Sequence, residues 1–399
     1  MGQLALLARD PVLRLVVLLL FLLGGGIASI APFQSLIARN VFGLGGWAYA
    51  AVLVAASLVG TVSAVAVGVL TDRRANRRAM AIAAAVLWLA GPALVVLAPT
   101  VPAFVLAHAV LLPFGGTLFG QLFVLARLTA RRFPEDRRDG VQAAVRAAFT
   151  LPFVAILPLW SAAIAAGVPL VAVYPVTALA AAGGLVLVLR RWPKDEGIHR
   201  AEPSGMSVGA ALAEMARPGI AARLLAVGAV KSGPALYMVL LGLVLTGAGH
   251  GEGDVALFAG LVAGFEVPVM LAAGWMLARL PRTGLIALAA LVHAGFLAGF
   301  AFAGGSGLVW LLILPAALGA GIILSVPMGY LQDLLAHRPG AGGALIALHQ
   351  LAGDALAAAA FAAGTAVGGY RTAALAGAAM VAAGGIALWR LDRGRRAGA

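Results

Sequence analysis

Twelve long apolar stretches recur along this 399-residue chain, and they constrain its fold more than any other feature. A transmembrane helix needs about 20 predominantly apolar residues to cross the hydrocarbon core of a bilayer. Hydrophobic residues make up 62% of the chain and charged residues 11%, so a soluble fold is excluded because it cannot bury so much apolar surface. The sequence therefore predicts an all-α membrane protein with twelve transmembrane helices. The predicted spans are residues 15–36, 47–70, 79–97, 102–126, 141–166, 168–189, 224–246, 255–278, 285–303, 308–331, 344–367 and 372–389, numbered 1 to 12 below.

The basic residues alternate between the two sides of the predicted membrane. Nearly all of the 28 lysine and arginine residues fall in the two tails and in every second loop, whereas the remaining loops carry only Arg39 and Arg371. Cytoplasmic loops are enriched in Lys and Arg, so both termini are predicted to be cytoplasmic. The net charge of +13 belongs to these loops. We expect no nucleic-acid partner, because no basic soluble face exists.

A polar stretch divides the spans into six and six. We predict an N-terminal six-helix bundle over residues 1–190, a cytoplasmic linker over 191–223 and a C-terminal six-helix bundle over 224–399. The halves echo each other weakly, since Gly68 and Arg73 after span 2 have the same spacing as Gly274 and Arg279 at the end of span 8. Internal repeats of this kind are a feature of several transporter architectures. Two pseudo-symmetric bundles are therefore expected.

The loop between spans 2 and 3 carries a motif of known type. It reads Gly68-Val-Leu-Thr-Asp72-Arg73-Arg74-Ala-Asn-Arg77-Arg78. This run resembles the signature of the major facilitator superfamily, in which a glycine is followed by Asp-Arg and paired basic residues. The resemblance implies the major facilitator fold and transport by alternating access. It also implies an inner gate, to which we assign Gly68, Asp72, Arg73, Arg77 and Arg127; the alternative is a simple positive-inside stop signal.

Three further stretches resemble the bacterial sugar efflux transporter family. They are 120–127, which begins Gly120-Gln121, 259–274, which contains Glu266-Val-Pro268, and 329–335, which begins Gly329-Tyr330. Two positions depart from the family pattern: in span 5, Ile156-Leu157-Pro158 keeps only the proline of a Gly-Pro-Pro motif, and after Arg127 at the end of span 4, Leu128 stands where an acidic residue is common. The resemblance implies proton-coupled efflux of small sugars or glycosides across the bacterial inner membrane. A multidrug or hydrophobic-compound exporter of the same fold is the alternative.

Ionisable residues inside spans are the candidates for substrate and proton sites. A charge at a helix centre costs about 2.5–3.5 kcal/mol on insertion scales, so such residues are rare. Glu266 in span 8 and Asp354 in span 11 are predicted to lie near the midplane, and Lys231 in span 7 needs one of them as its partner. The Glu266 and Asp354 carboxyl groups can each bind a proton or accept a hydrogen bond from a sugar hydroxyl. Each can equally form a permanent ion pair or hydrogen bond that only orders the helices.

Five further polar residues complete the predicted site: Arg146, Gln34, Gln121, Gln350 and Tyr237. Arg146 shares a helix face with residues one turn before and after it, and a guanidinium can hydrogen-bond sugar hydroxyls. An amide both donates and accepts, which suits hydroxyl recognition. Gln350 lies one turn before Asp354 on the same face. Bonds between helices, or anchoring at the membrane interface for the tyrosine, are the competing interpretations.

Several other chemistries find no support in the residues. Cysteine is absent, the histidines lack metal-ligand spacing and there is no phosphate-binding loop. We therefore predict no cofactor and no metal, and no enzyme, because no clustered nucleophile or dyad is present. A membrane sensor would need an output domain, and none is visible. The expected partners are a small-molecule substrate, protons and membrane lipid, and the chain is expected to act as a monomer.

Overall fold

The computed structural model is helical throughout the residues that it describes, which are 9–73, 77–130, 132–133, 135–193, 217–303, 306–334 and 339–396. Within this part of the chain, eleven helices are long and apolar enough to cross a membrane. The predicted all-α membrane fold is thus confirmed. The long helices are Pro11–Ile30, Gly46–Arg73, Arg77–Leu97, Thr117–Ala130, Glu135–Ala165, Val173–Arg191, Pro218–Gly247, Glu252–Leu277, Arg282–Ala303, Ile313–Leu334 and Pro339–Arg396.

The last of these helices contains two predicted spans. Its apolar part, Leu348–Arg393, has 46 residues and would be more than twice as long as a bilayer is thick. Gly368 and Gly369 have non-helical backbone angles within it, and Gly369 has a φ of +76°, which a residue with a Cβ rarely adopts. The backbone therefore turns at these glycines. Spans 11 and 12 are the two helical arms on either side.

Short irregular segments complete spans 1, 4 and 10. Span 1 was predicted as continuous to residue 36, but its helix ends at Ile30 and resumes as Gln34–Leu36. Pro32 lies in the intervening turn and has no N–H with which to continue the helical ladder. Span 4 consists of Val101–Leu106, a π-helical turn Ala107–Leu111, and Leu112–Gly115 before its long helix. Other short elements are Ile37–Val41 (π), Leu170–Ala172 (3₁₀) and Gly307–Leu312 (3₁₀).

Span 7 begins earlier than its hydropathy suggests. Its helix starts at Pro218, six residues before the predicted boundary, because proline suits the first turn of a helix. Arg223 therefore lies inside the helix rather than in the linker. The rest of the predicted linker, residues 194–216, lies outside the described residues. The division at residues 190 and 223 accordingly stays a prediction.

Contacts divide the chain into two compact units. Unit 1 comprises residues 1–33 and 58–203, and unit 2 comprises residues 34–57 and 204–399. The boundary between residues 57 and 58 lies within the helix Gly46–Arg73.

Trp88 lies at the centre of unit 1, where glycines from three other spans make room for it. A Cβ added at Gly26, Gly115 or Gly184 would lie 3.5, 2.7 or 2.5 Å from the nearest Trp88 atom. The Trp88 side chain is only 2% exposed and belongs to a cluster of leucines and alanines from spans 1, 3, 4 and 6. Small residues let helices approach closely in a bilayer, where apolar burial gives little driving force.

Unit 2 is built around span 7, which also packs through small residues. A Cβ added at Gly228 would lie 2.8 Å from Ala352 Cβ in span 11, and one at Gly384 in span 12 would lie 2.7 Å from Ala229 Cβ. Tyr237, on the same span, packs edge-on against Phe296 with ring centroids 5.2 Å apart. Span 7 is therefore held closely by spans 9, 11 and 12.

Span 4 offers a matched pair of glycines for testing this packing. We expect Gly115→Ala to lower the melting temperature by several degrees, since the new methyl group meets the Trp88 backbone and overpacking costs about 1–3 kcal/mol. Gly120→Ala meets nothing within 4 Å and serves as the control. Thermal unfolding in detergent, followed by size-exclusion chromatography, measures both. Equal melting temperatures for the two variants would contradict the packing described above.

Candidate functional site: an ion pair in the C-terminal unit

Lys231 and Asp354 form an ion pair near the middle of spans 7 and 11. The Lys231 Nζ atom lies 2.7 Å from Asp354 Oδ1, and the two side chains are 13% and 35% exposed. Of the two partners predicted for Lys231, the structure pairs it with Asp354. The carboxylate is thus neutralised on one oxygen and still partly accessible.

The Asp354 carboxylate has a second partner on a third span. Ser57 Oγ, in span 2, donates a hydrogen bond of 3.0 Å to Asp354 Oδ2. Both carboxylate oxygens are therefore engaged, Oδ1 by an ammonium and Oδ2 by a hydroxyl. A carboxylate has lone pairs for about four hydrogen bonds, so it can still bind a proton or a further hydroxyl group.

Glycines in spans 7 and 11 allow the pair to form. A Cβ added at Gly353 would lie 2.7 Å from Lys231 Cγ and 3.1 Å from the Gly228 carbonyl oxygen. The lysine stem therefore lies against bare backbone on span 11, and its ammonium reaches the next residue, Asp354. Gln350 lies one helical turn before Asp354 and is partly buried.

Glu266 occupies a separate position in the same unit. It is partly buried in span 8, and among the described residues no cation lies within ion-pair distance of it. Its electrostatic neighbour is Tyr237 of span 7, whose side chain is 3% exposed and whose hydroxyl has no hydrogen-bond partner in the described structure. Span 10 approaches at Gly321, where an added Cβ would lie 3.3 Å from the Glu266 carbonyl oxygen. Within the described part of the chain, Glu266 is thus a second acidic position within the spans of this unit, apart from the ion pair.

The remaining predicted residues lie apart from the ion pair. Gln34 begins a short helix in unit 2. Gln121 is buried in unit 1, where its Nε2 atom is 3.5 Å from the Met80 carbonyl oxygen of span 3, as expected for a bond between helices. Arg146 lies in the helix Glu135–Ala165, but its side chain is outside the described part of the structure.

The predicted inner-gate residues are described only in part. Gly68 lies in the helix of span 2, Arg77 begins the helix of span 3 and Arg127 is exposed near the end of span 4. The side chains of Asp72 and Arg73 lie outside the described residues. The gate assignment accordingly stays a prediction.

Three polar contacts were not anticipated from the sequence. Ser57 was missed because a lone serine in a transmembrane helix usually bonds to its own backbone. Arg223 was assigned to the linker, yet its Nε atom lies 2.8 Å from Asp392 Oδ1, which also accepts a bond of 3.2 Å from the Tyr330 hydroxyl. In unit 1, buried His108 lies 2.9 Å from the Tyr174 hydroxyl within the π-helical turn of span 4. His108 thus has a polar partner inside unit 1.

Fold and site together define a polytopic helical membrane protein with a charged site inside its spans, and comparisons identify its family. The sequence profile of the Major Facilitator Superfamily matches residues 16–358. This chain therefore belongs to the major facilitator superfamily, and it is a membrane transporter rather than an enzyme.

A curated relative and several solved structures resemble parts or all of the chain. Sugar efflux transporter A from Dickeya chrysanthemi is 30% identical over 132 residues, a match that spans 33% of this chain and 34% of that protein. The nucleoside transporter NupG superposes with a TM-score of 0.78 at 12% identity, covering 96% of this chain and 100% of that one. A D-xylose-proton symporter gives 0.69 at 16% identity, covering 95% and 97%. At these identities the structures establish the fold alone.

The ion pair makes a prediction about stability. We expect Asp354→Asn to destabilise the protein by about 1–3 kcal/mol, between the values for exposed and for buried pairs, because it leaves Lys231 without a counter-ion inside the bundle. The double variant Lys231→Met/Asp354→Asn removes that charge and should regain most of the loss. Chemical or thermal unfolding in detergent measures the stability of the wild type and of both variants. A double variant that is less stable than Asp354→Asn would contradict a direct pair.

Proposed function

We propose that this chain exports small sugars or glycosides in exchange for protons, by alternating access across the bacterial inner membrane with both termini in the cytoplasm. The distribution of Lys and Arg supports the orientation. The efflux direction and the sugar class are supported by the residue resemblance in spans 4, 8 and 10, and by the relative named sugar efflux transporter A. Membership of the major facilitator superfamily supports secondary transport.

The observation that carries this proposal is the Lys231–Asp354 ion pair with its partly accessible carboxylate. A proton on Asp354 neutralises the carboxylate and ends its attraction for the ammonium. A sugar hydroxyl that donates to the carboxylate needs the ionised form instead. Proton and sugar therefore compete for one group, and such competition is the simplest basis for antiport. Lys231 compensates the charge while neither is bound.

Glu266 and Tyr237 supply a second point of contact in this proposal. The unpartnered Tyr237 hydroxyl and the Glu266 carboxyl can together donate to and accept from a sugar hydroxyl. Gln350, one turn from Asp354, and Gln34 are further amide contacts in unit 2, and Gln121 and Arg146 are the corresponding candidates in unit 1. We assign Asp72, Arg73, Arg77 and Arg127, with Gly68, to the inner gate on the basis of the family motif.

A second candidate function is export of hydrophobic compounds, and one cavity favours it. Unit 1 contains a cavity of about 460 Å³ between spans 1, 5 and 6, with an apolar accessible lining that includes Phe21, Ile156, Leu159 and Val176. Its volume falls within the range typical of small-molecule sites. A sugar would find few hydrogen-bond partners there, whereas a lipophilic compound would bury its surface.

Transport by purified protein in proteoliposomes tests the leading function. We expect an imposed pH gradient to drive transport of labelled lactose or glucosides in exchange for protons in wild type. The gradient-driven flux should fall at least tenfold in Asp354→Asn and in Glu266→Gln, because neither amide exchanges a proton. Gly120→Ala, whose added methyl group meets nothing within 4 Å, is the control for reconstitution.

The same vesicles separate the two candidate functions. Flux of a lipophilic dye without sugar flux would overturn the sugar assignment and favour the hydrophobic-compound exporter. Sugar flux that is indifferent to both the pH gradient and the two substitutions would overturn proton coupling. Filling the apolar cavity by Ala163→Phe should reduce dye flux and leave sugar flux unchanged.

A further inference from the structure

Ser57 differs from four other hydroxyl side chains in the spans. Ser29, Thr71, Ser325 and Thr365 each donate to a backbone carbonyl oxygen one turn earlier in their own helix. Ser57 instead donates to Asp354 on another span. It therefore forgoes the usual local bond and contacts the charged group of the site.

Ser57 also ends a segment that packs on unit 2 along its length. Residues 34–57, which we call the strap, belong to unit 2 although span 2 continues into unit 1. Near its middle, Gly46 approaches Thr365 of span 11, and the Tyr49 ring packs edge-on against Phe361 with centroids 5.9 Å apart. These contacts bury Tyr49 to 4% exposure.

The other end of the strap carries an arginine. The Arg39 guanidinium lies 5.6 Å from the centroid of the Tyr370 ring, at the turn between spans 11 and 12. Tyr370 in turn stacks near Phe361 at 6.4 Å. Ring and van der Waals contacts thus hold the strap against span 11. Ser57 adds a hydrogen bond from the strap to the ion pair.

We propose that Ser57 is a positioning residue for Asp354, and that its hydrogen bond links the state of the ion pair to docking of the strap on span 11. The hydroxyl holds Oδ2 so that Oδ1 faces Lys231. A substrate hydroxyl that takes Oδ2 displaces Ser57 and weakens docking. By thermodynamic linkage, a docked strap lowers the affinity of Asp354 for that ligand by the same factor. This inference rests on the proposed function for the identity of the ligand, but not for the linkage itself.

The groups that face Asp354 come from two packed elements. Span 7 contributes the Lys231 ammonium, and span 2 contributes the Ser57 hydroxyl. Within the described residues, Lys231 is the charged group at ion-pair distance from Asp354. A change at Ser57 therefore acts on a carboxylate with one other strong partner.

Labelling of a single cysteine measures docking without any transport assay. The natural chain has no cysteine, so Thr365→Cys alone can be labelled with a maleimide in detergent-purified protein. Adding Ser57→Ala should raise the labelling rate about tenfold, as expected for loss of a hydrogen bond to a charged group. Ser57→Thr keeps the hydroxyl and should retain the slow rate. Leu308→Cys, exposed in the 3₁₀ segment Gly307–Leu312, should be labelled equally fast in every background.

A double-variant cycle distinguishes positioning from a general loss of structure. If Ser57 acts through Asp354, combining Ser57→Ala with Asp354→Ala should raise Thr365→Cys labelling no more than either change alone. If the increase in labelling rate in the double variant equals the product of the two single increases, the proposal is overturned. An unchanged rate in Ser57→Ala would also overturn it. Because no sugar is present, this outcome is independent of whether the proposed substrate is correct.

A disulfide tests whether the strap must undock during transport. An added Cβ at Gly46 lies 3.6 Å from Thr365 Cβ, within the range of disulfides. Oxidised Gly46→Cys/Thr365→Cys should lose its transport at least tenfold and regain it on reduction. Gly60→Cys/Pro113→Cys, with a Cβ separation of 3.7 Å inside unit 1, is the matched control and should transport in both states. Full transport by the oxidised strap variant would overturn the proposal, whichever compound the protein carries.

Discussion

The cost of an unpaired charge inside a bilayer is the constraint on which the C-terminal unit depends. Lys231 lies near the middle of an apolar helix, where an ammonium without a partner is costly. Its pairing with Asp354 requires spans 7 and 11 to approach closely and in one register. The glycines at 228 and 353 make that approach possible, because a methyl group at either position would collide with the facing helix. The ion pair therefore explains why glycine occupies these two positions on the facing sides of spans 7 and 11.

The same pair connects packing to function. A permanently buried and saturated ion pair would only order the helices, but Asp354 is 35% exposed and retains acceptor capacity. The Ser57 hydroxyl engages its second oxygen, and in the proposed cycle a competing ligand replaces that hydroxyl. Partial exposure and a replaceable partner are the two properties that a carboxylate needs if it is to exchange protons and hydroxyl groups during a transport cycle. By contrast, Arg223 in the Arg223–Asp392 pair also donates to two backbone carbonyl oxygens, and Asp392 also accepts a hydrogen bond from the Tyr330 hydroxyl. That cluster is suited to holding spans 7, 10 and 12 together.

Much of the fold and part of the site could be predicted from residue order. Span positions followed from hydropathy because a bilayer requires long apolar helices, and the predicted midplane depth of Glu266 and Asp354 followed from counting along those helices. The partner of Lys231 could be narrowed only to Asp354 or Glu266, since both acids are predicted at a similar depth in their own spans. Ser57 could not be identified, because sequence does not distinguish a hydroxyl that bonds to its own helix from one that bonds to a neighbour. The helix break at Pro32 was missed because hydropathy averages over single prolines.

The sequence by itself determined that the chain crosses a membrane many times, that basic residues concentrate in alternate loops, and which ionisable residues lie within apolar spans. These properties depend on composition and order along one helix at a time. Only the tertiary structure decided that Lys231 pairs with Asp354 rather than Glu266, and that residues 34–57 pack with span 11. The physical reason is that these choices depend on which helix faces meet. Glycine contacts and ring packing between distant parts of the chain set those faces, and no local pattern encodes them.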